Sequence, residues 1–213
     1  MPALSLSSLL AAGLAAALVL QAPAARATTI IDEWASVPVP PPPVLAPATV
    51  DPKTTALLVL DIVRQGCNAE RRPRCLATLP AIQAVLARAR GAGMMVAYSL
   101  VKGSTPADVL REAAPLGTEP MVTAGTDKFL GTDLEAALSG KGIKTVIILG
   151  VAAQGAVMTT ATEAALRGFE VVVPLDGVSS DSLYGEQYTA WDLMNAPAIA
   201  GHVVLSRTDL IGF

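Results

Sequence analysis

Two runs constrain the fold of this chain more than anything else in it. Residues 55–63 (TALLVLDIV) and 145–152 (TVIILGVA) are apolar at almost every position, without the polar residue at alternate sites that a half-wetted strand carries. Both faces of such strands must be covered, and that is the condition of strands inside a parallel sheet. Further short strands are expected over 94–101 (MMVAYSLV), 120–123 (PMVT), 170–176 (EVVVPLD) and 202–206 (HVVLS). Between them lie helical patterns. In 76–93, Leu79, Ile82, Val85, Leu86 and Ala89 share one face, and Gly91 and Gly93 lie near the end. Short helices are expected over 108–114 and 132–142, and longer ones over 155–168 and 181–194. The alternation reads as an α/β chain: a three-layer α/β/α domain with a mainly parallel, Rossmann-like sheet.

Ligands of such sheets bind beyond the carboxyl ends of the strands, where the strand order reverses. Three segments should meet there: LDIVRQGC after the first strand, VTAGTDKF after the third and GVAAQGA after the fourth. Asp61 ends the first run, at the rim of that pocket. Position alone leaves it two roles, a general acid or base, or a cap on backbone N–H groups. In the third segment the helix opens with Gly155, Ala156 and Val157, none of which can act as a nucleophile.

The ends of the chain and its composition narrow the setting. The stretch LSLSSLLAAGLAAALVLQAPAARA has an apolar core followed by Ala25-Arg26-Ala27, small residues where a signal peptidase needs them. Residues 1–27 are read as a signal peptide, so the protein is expected to be exported, periplasmic or secreted, with no membrane attachment after cleavage. Six of the ten residues from position 38 to 47 are proline, so 28–53 is read as an extended, polyproline-like linker. With a net charge of −3 and no basic run, nothing supports a nucleic-acid partner. One histidine and two cysteines are too few for a zinc site, and no metal or cofactor is expected. His202, before the last strand, reads as a surface or turn residue.

Cys67 and Cys75 bracket NAERRPR in one loop. A disulfide is expected over a free nucleophile at Cys67, because an oxidising compartment favours the bond. Gln65 and Arg64, after Asp61, line the mouth or are solvated; Gln154 orients a ligand or caps its helix. Tyr98 reads as core. The tail SRTDLIGF packs on the body or on a second subunit, and a homo-oligomer is expected.

The segments LLVLDIV, KFLGTDLEAAL and GVAAQGAVMTTATEAALRGFEVVVPLDGVSS together resemble the isochorismatase-like hydrolase superfamily, which includes isochorismatases, nicotinamidases and N-carbamoyl amide hydrolases. The resemblance spans 54–213. It implies a small-molecule substrate and an Asp–Lys–Cys site, with Asp61 as the aspartate. The cysteine position is filled by Ala156, which opens AVMTTA, and the lysine position by Thr123. Lys128 stands beside Phe129 in another register. The chain thus reads as a divergent member without the family cysteine and lysine, and Asp61→Asn would be expected to leave the fold intact. Gln65, Thr123, Lys128, Val151, Ala152, Gln154 and Ala156 are the implied ligand-binding positions. Isochorismatases proper also lack the thiol, and cleave a vinyl ether with an aspartate and water. Three functional expectations follow. One is an exported hydrolase of this family working through Asp61 and water. The second is a catalytically silent relative that binds a small ligand or a partner. The third is a structural, oligomer-forming domain.

Overall fold

The computed structural model describes residues 28–213; the expected signal peptide lies outside them. Residues 28–39 belong to a separate unit. They contain the one-turn helix α1 (Ile30–Glu33), where the Thr29 amide and hydroxyl both donate to the Asp32 carboxylate.

The rest of the chain is a single unit from Pro40 onward. Its elements, in order, are β1 (Ala48–Thr49), β2 (Thr55–Leu60), α2 (Pro73–Gly91), β3 (Met95–Leu100) and β4 (Met121–Thr123). They continue with α3 (Leu134–Gly140), β5 (Thr145–Val151), α4 (Met158–Leu166), β6 (Glu170–Pro174) and β7 (Val178–Ser179), and end with α5 (Leu183–Asn195), β8 (Val203–Ser206) and β9 (Ile211–Gly212). The main sheet runs β4-β3-β2-β5-β6-β8, with β7 continuing beside β5, and every pairing is parallel. The order reverses between β2 and β5, which places the crevice at their carboxyl ends.

Strand geometry sorts the core into two layers. Successive side chains point to opposite faces. Leu57, Val59, Ile147 and Leu149 accordingly pack with Leu79, Ile82, Val85, Leu86 and Ala89 of α2. Leu58, Leu60, Val146 and Ile148 pack with α3, α4 and α5 through Leu138, Ala161, Ala164 and Leu193. The mainly parallel α/β/α sandwich expected from the sequence is the fold observed. Where 108–114 was expected to be one helix, the chain makes two 3-10 turns, Pro106–Asp108 and Arg111–Ala113.

Residues 37–47 of the proline-rich stretch form no helix or strand, and the last of them lie along the domain. The Ala46 amide donates to Leu205 O at 2.9 Å, Ser206 Oγ to Ala46 O at 2.7 Å, and β1 pairs in parallel with β9. The apolar tail is therefore tied down within the chain: Ile211 is buried and Phe213 stacks under the Arg88 guanidinium.

Candidate active site

Asp61 follows the last residue of β2 and turns the chain with a φ of 56°. A non-glycine residue pays to adopt this conformation, and aspartate is among the few that tolerate it. The turn leaves the carboxylate almost buried, at 6 % exposure, with one oxygen accepting from Ser99 Oγ at 2.7 Å. The other oxygen accepts from Lys128 Nζ at 2.6 Å. The expectation of a lysine-free Asp61 is thereby corrected.

Lys128 reaches the carboxylate because of the loop between β4 and α3. Asp127 accepts the Phe129 amide at 2.8 Å, and Thr132 Oγ1 donates back to Lys128 O at 2.6 Å. This local winding sends the lysine inward, where it is fully buried. Its ammonium also donates to Gly125 O at 2.6 Å and Ala124 O at 3.5 Å. An ammonium has three donors, and here all three are engaged. Lys128 therefore lies under the site as the partner of Asp61, with no donor left over for a ligand.

Above the pair lies an open cavity of about 780 Å³. Asp61, Gln65, Thr123, Val151, Ala152 and Ala156 line it, so most of the residues singled out in the sequence converge there. Lys128 lies beneath it instead of on its wall. Gln154 is turned aside: its amide donates to Asp181 at 3.3 Å and accepts from Ser180 Oγ at 2.6 Å. Hydrogen bonds to Asp181 from Ser180 Oγ, at 2.9 Å, and from Gln154 hold its carboxyl below the usual range, Ser180 contributing most. Ala156 sits in a turn of π-helix, Ala153–Val157, that precedes α4. Its methyl group occupies the place where the resemblance puts a thiol, so the cavity wall supplies no nucleophile there.

Cys67 and Cys75 are joined, with Cα atoms 5.4 Å apart, inside the usual range for disulfides. Closing so short a loop contributes about 2–3 kcal/mol at most; its larger effect is to fix the shape of the loop that follows Asp61. Arg71 and Arg72 of that loop line the cavity, as does Lys102 after β3. Sequence reading missed all three as site residues. The available signal was a cluster of cations inside a cysteine-bracketed loop directly after the candidate catalytic carboxylate. Burial lowers the affinity of the Arg72 guanidinium for its proton, and the charge of Asp181 opposes this. Tyr98 is core, its hydroxyl taking an Arg90 donor at 2.9 Å. His202 is a surface residue whose Nδ1 lies 3.2 Å from Glu170.

Known proteins share this chain's family and its fold. The Isochorismatase domain family matches residues 55–208. A protein named secreted isochorismatase effector Isc1, from Verticillium dahliae, is 27% identical over 153 residues, covering 65% of this chain and 80% of that protein. The fold is shared with an isochorismatase family protein from Desulfovibrio vulgaris, at a TM-score of 0.66 and 19% identity, covering 73% of this chain and 95% of that one. It is shared also with N-carbamoylsarcosine amidase from Thermoplasma acidophilum, at a TM-score of 0.63 and 23% identity, covering 73% and 97%. With a family match across residues 55–208, this chain belongs to the isochorismatase family of hydrolase-like proteins.

Proposed function

We propose that the protein is an exported hydrolase of a small molecule, in which Asp61 activates water and no thiol takes part. The observation that carries this reading is the Lys128–Asp61 pair at the floor of the cavity. The Asp61 carboxylate lines the cavity, where it can take a proton from a bound water. Each of its oxygens has spent one acceptor site on Ser99 or Lys128, and each retains lone-pair capacity for a water. That water adds through its oxygen to an amide or carbamoyl carbon as its proton passes to Asp61; an enol ether would first have to take a proton on carbon. Asp61 then returns the proton to the nitrogen or oxygen that leaves. Ala156 takes no part in bond making, so no covalent enzyme intermediate forms. Lys128, with every donor engaged, acts as a positioning residue.

The test is a turnover screen of the mature protein against amides, carbamoyl compounds and enol ethers, with and without iodoacetamide. We expect hydrolysis of a member of one class, unaffected by the reagent. Inactivation that tracks modification of Cys67 would transfer the chemistry to a thiol. No turnover in any class would leave the silent reading, which the methyl group at Ala156 favours.

Export is supported by the leader-like N-terminus, by the disulfide and by the name of the secreted relative from Verticillium dahliae. Among the described residues no helix is long and apolar enough to cross a membrane. The mature chain is expected to begin at Thr28. N-terminal sequencing of exported material that returned an intact Met1 would refute this.

A further inference from the structure

Helix α5 carries its bulk on the wrong side. The residues it buries are mostly small: Gly185, Thr189 and Ala190, with Leu193. Its large apolar side chains, Leu183, Tyr184, Tyr188, Trp191 and Met194, are all exposed. At about 100° per residue, Tyr184, Tyr188 and Trp191 fall within about 60° of one another, on the side opposite Leu193. They form one line along the outside of the helix. Tyr184 is 72 % exposed and Trp191 47 %, and the Tyr184 and Tyr188 rings stack with centroids 6.4 Å apart. The sequence has two tryptophans, three tyrosines and three phenylalanines. Two of those tyrosines and one of those tryptophans lie on this single wet face.

At about 200 Å² for a fully exposed large side chain, the exposed parts of the five come to about 500 Å². A contiguous apolar patch of that size marks a contact surface, where singly scattered apolar residues would mark nothing.

The charge on this face selects the occupant. Gln187 and Asn195 are the polar members of the outward side, and neither is ionisable. Asp192, half-buried, lies about 80° round the helix from Tyr184. A strongly charged partner would find no counter-charge along the aromatic line. A second copy of a chain with net charge −3 is repelled over much of its surface, but it can meet this face without opposing like charges.

We infer that two copies of this chain pair through α5, the helices antiparallel about a two-fold axis near Tyr188. Tyr184 and Trp191 lie two turns apart, about 10.5 Å along the helix, with Tyr188 between them. The antiparallel arrangement sets each Tyr184 against the second copy's Trp191, so the face is complementary to itself. Together the two copies bury about 1,000 Å², the lower bound for a specific interface. The dimer is therefore reversible. Neither Asp61 nor the cavity enters this inference, which stands whether or not the protein is a hydrolase.

Sedimentation velocity of the mature, oxidised protein tests it. A monomer–dimer equilibrium is expected, with a Kd of about 1–100 µM. Trp191→Ala and Tyr188→Arg should each weaken it at least about tenfold, the first by removing an aromatic anchor, the second by setting two like charges across the axis. Both positions are exposed, so far-UV circular dichroism should stay that of the wild type. Trp34→Ala should leave the Kd unchanged and makes Trp191 the sole tryptophan. Its emission should then shift to the blue, and acrylamide should quench it less, as the concentration rises through the Kd. If an α5 variant fails to fold, this fluorescence change decides the matter. A protein still monomeric at about 500 µM, or a dimer indifferent to both α5 variants, would overturn the inference. Loss of the dimer in Trp34→Ala would overturn it too, by moving the contact to the N-terminal unit. So would a monomer whose Trp191 emission shifts only with phosphatidylcholine vesicles, which would assign the face to lipid.

Discussion

Asp61→Asn is expected to lower turnover by about 10²–10⁴-fold, the usual contribution of a general acid or base. It should also destabilise the domain by about 3 kcal/mol, the low end for breaking a buried ion pair because Asp61 faces a cavity. The second effect follows from Lys128. Without the carboxylate, a fully buried ammonium keeps only neutral acceptors, the Gly125 and Ala124 carbonyls and the new amide. Sequence reasoning, which set no lysine beside Asp61, expected this substitution to leave the fold intact; the ion pair reverses that expectation. Asparagine tolerates the left-handed backbone at this position, so backbone strain does not confuse the result. The double variant Asp61→Asn/Lys128→Met should recover most of the lost stability in urea unfolding while remaining inactive. An Asn variant as stable as the wild type would show that the pair does not support the fold. One with full turnover would place the chemistry elsewhere.

Gly150→Ala should fail outright, at a cost above about 4 kcal/mol. Gly150 lies in β5 opposite Leu60 of β2, with a φ of 125°. A Cβ there would stand 2.1 Å from the Leu60 carbonyl oxygen and 2.8 Å from its nitrogen. Both are backbone atoms of a central strand, so neither can swing away. The distortion would fall directly before Asp61 and would disorder the site even if the sheet survived. Gly155→Ala is the contrasting control: its nearest neighbours would be 3.8 Å away, and replacing a helical glycine there should be neutral or slightly stabilising. Soluble expression and thermal unfolding distinguish the two. A well-folded Gly150→Ala protein would mean that β2 and β5 can part at this point without loss of the sheet.

The sheet was legible because burial on both faces writes itself as unbroken apolar runs such as 55–60 and 145–151. The small pairings were not. Val178–Ser179 of β7 lies in a stretch rich in serine, and Ala48–Thr49 of β1 follows a proline run that contains no strand pattern. Two-residue strands owe their existence to what lies beside them, and no local pattern encodes that. Asp61 and Ala156 were placed from the ends of strong elements, where position along the chain nearly fixes position in space. Lys128 was not, because spacing along a loop gives reach but not direction. Its inward turn depends on Asp127 and Thr132 bonding backbone groups nearby. Arg72 escaped for a related reason: a charged loop residue reads as solvated until the loop is seen to fold back against the cavity.

The pairing of β1 with β9 has a mechanical consequence. The two strands run in the same direction, one entering the domain and the other leaving it. Tension applied at the two ends of the domain therefore pulls them past each other lengthwise instead of peeling them apart. The bonds from Ala46 to Leu205, from Val50 to Gly212 and from Arg88 to Ile211 take that load together, and a shear clamp of this kind resists a tug far better than a zipper does. A chain drawn through a narrow opening would release this clasp first, before the sheet above which Asp61 sits felt any force.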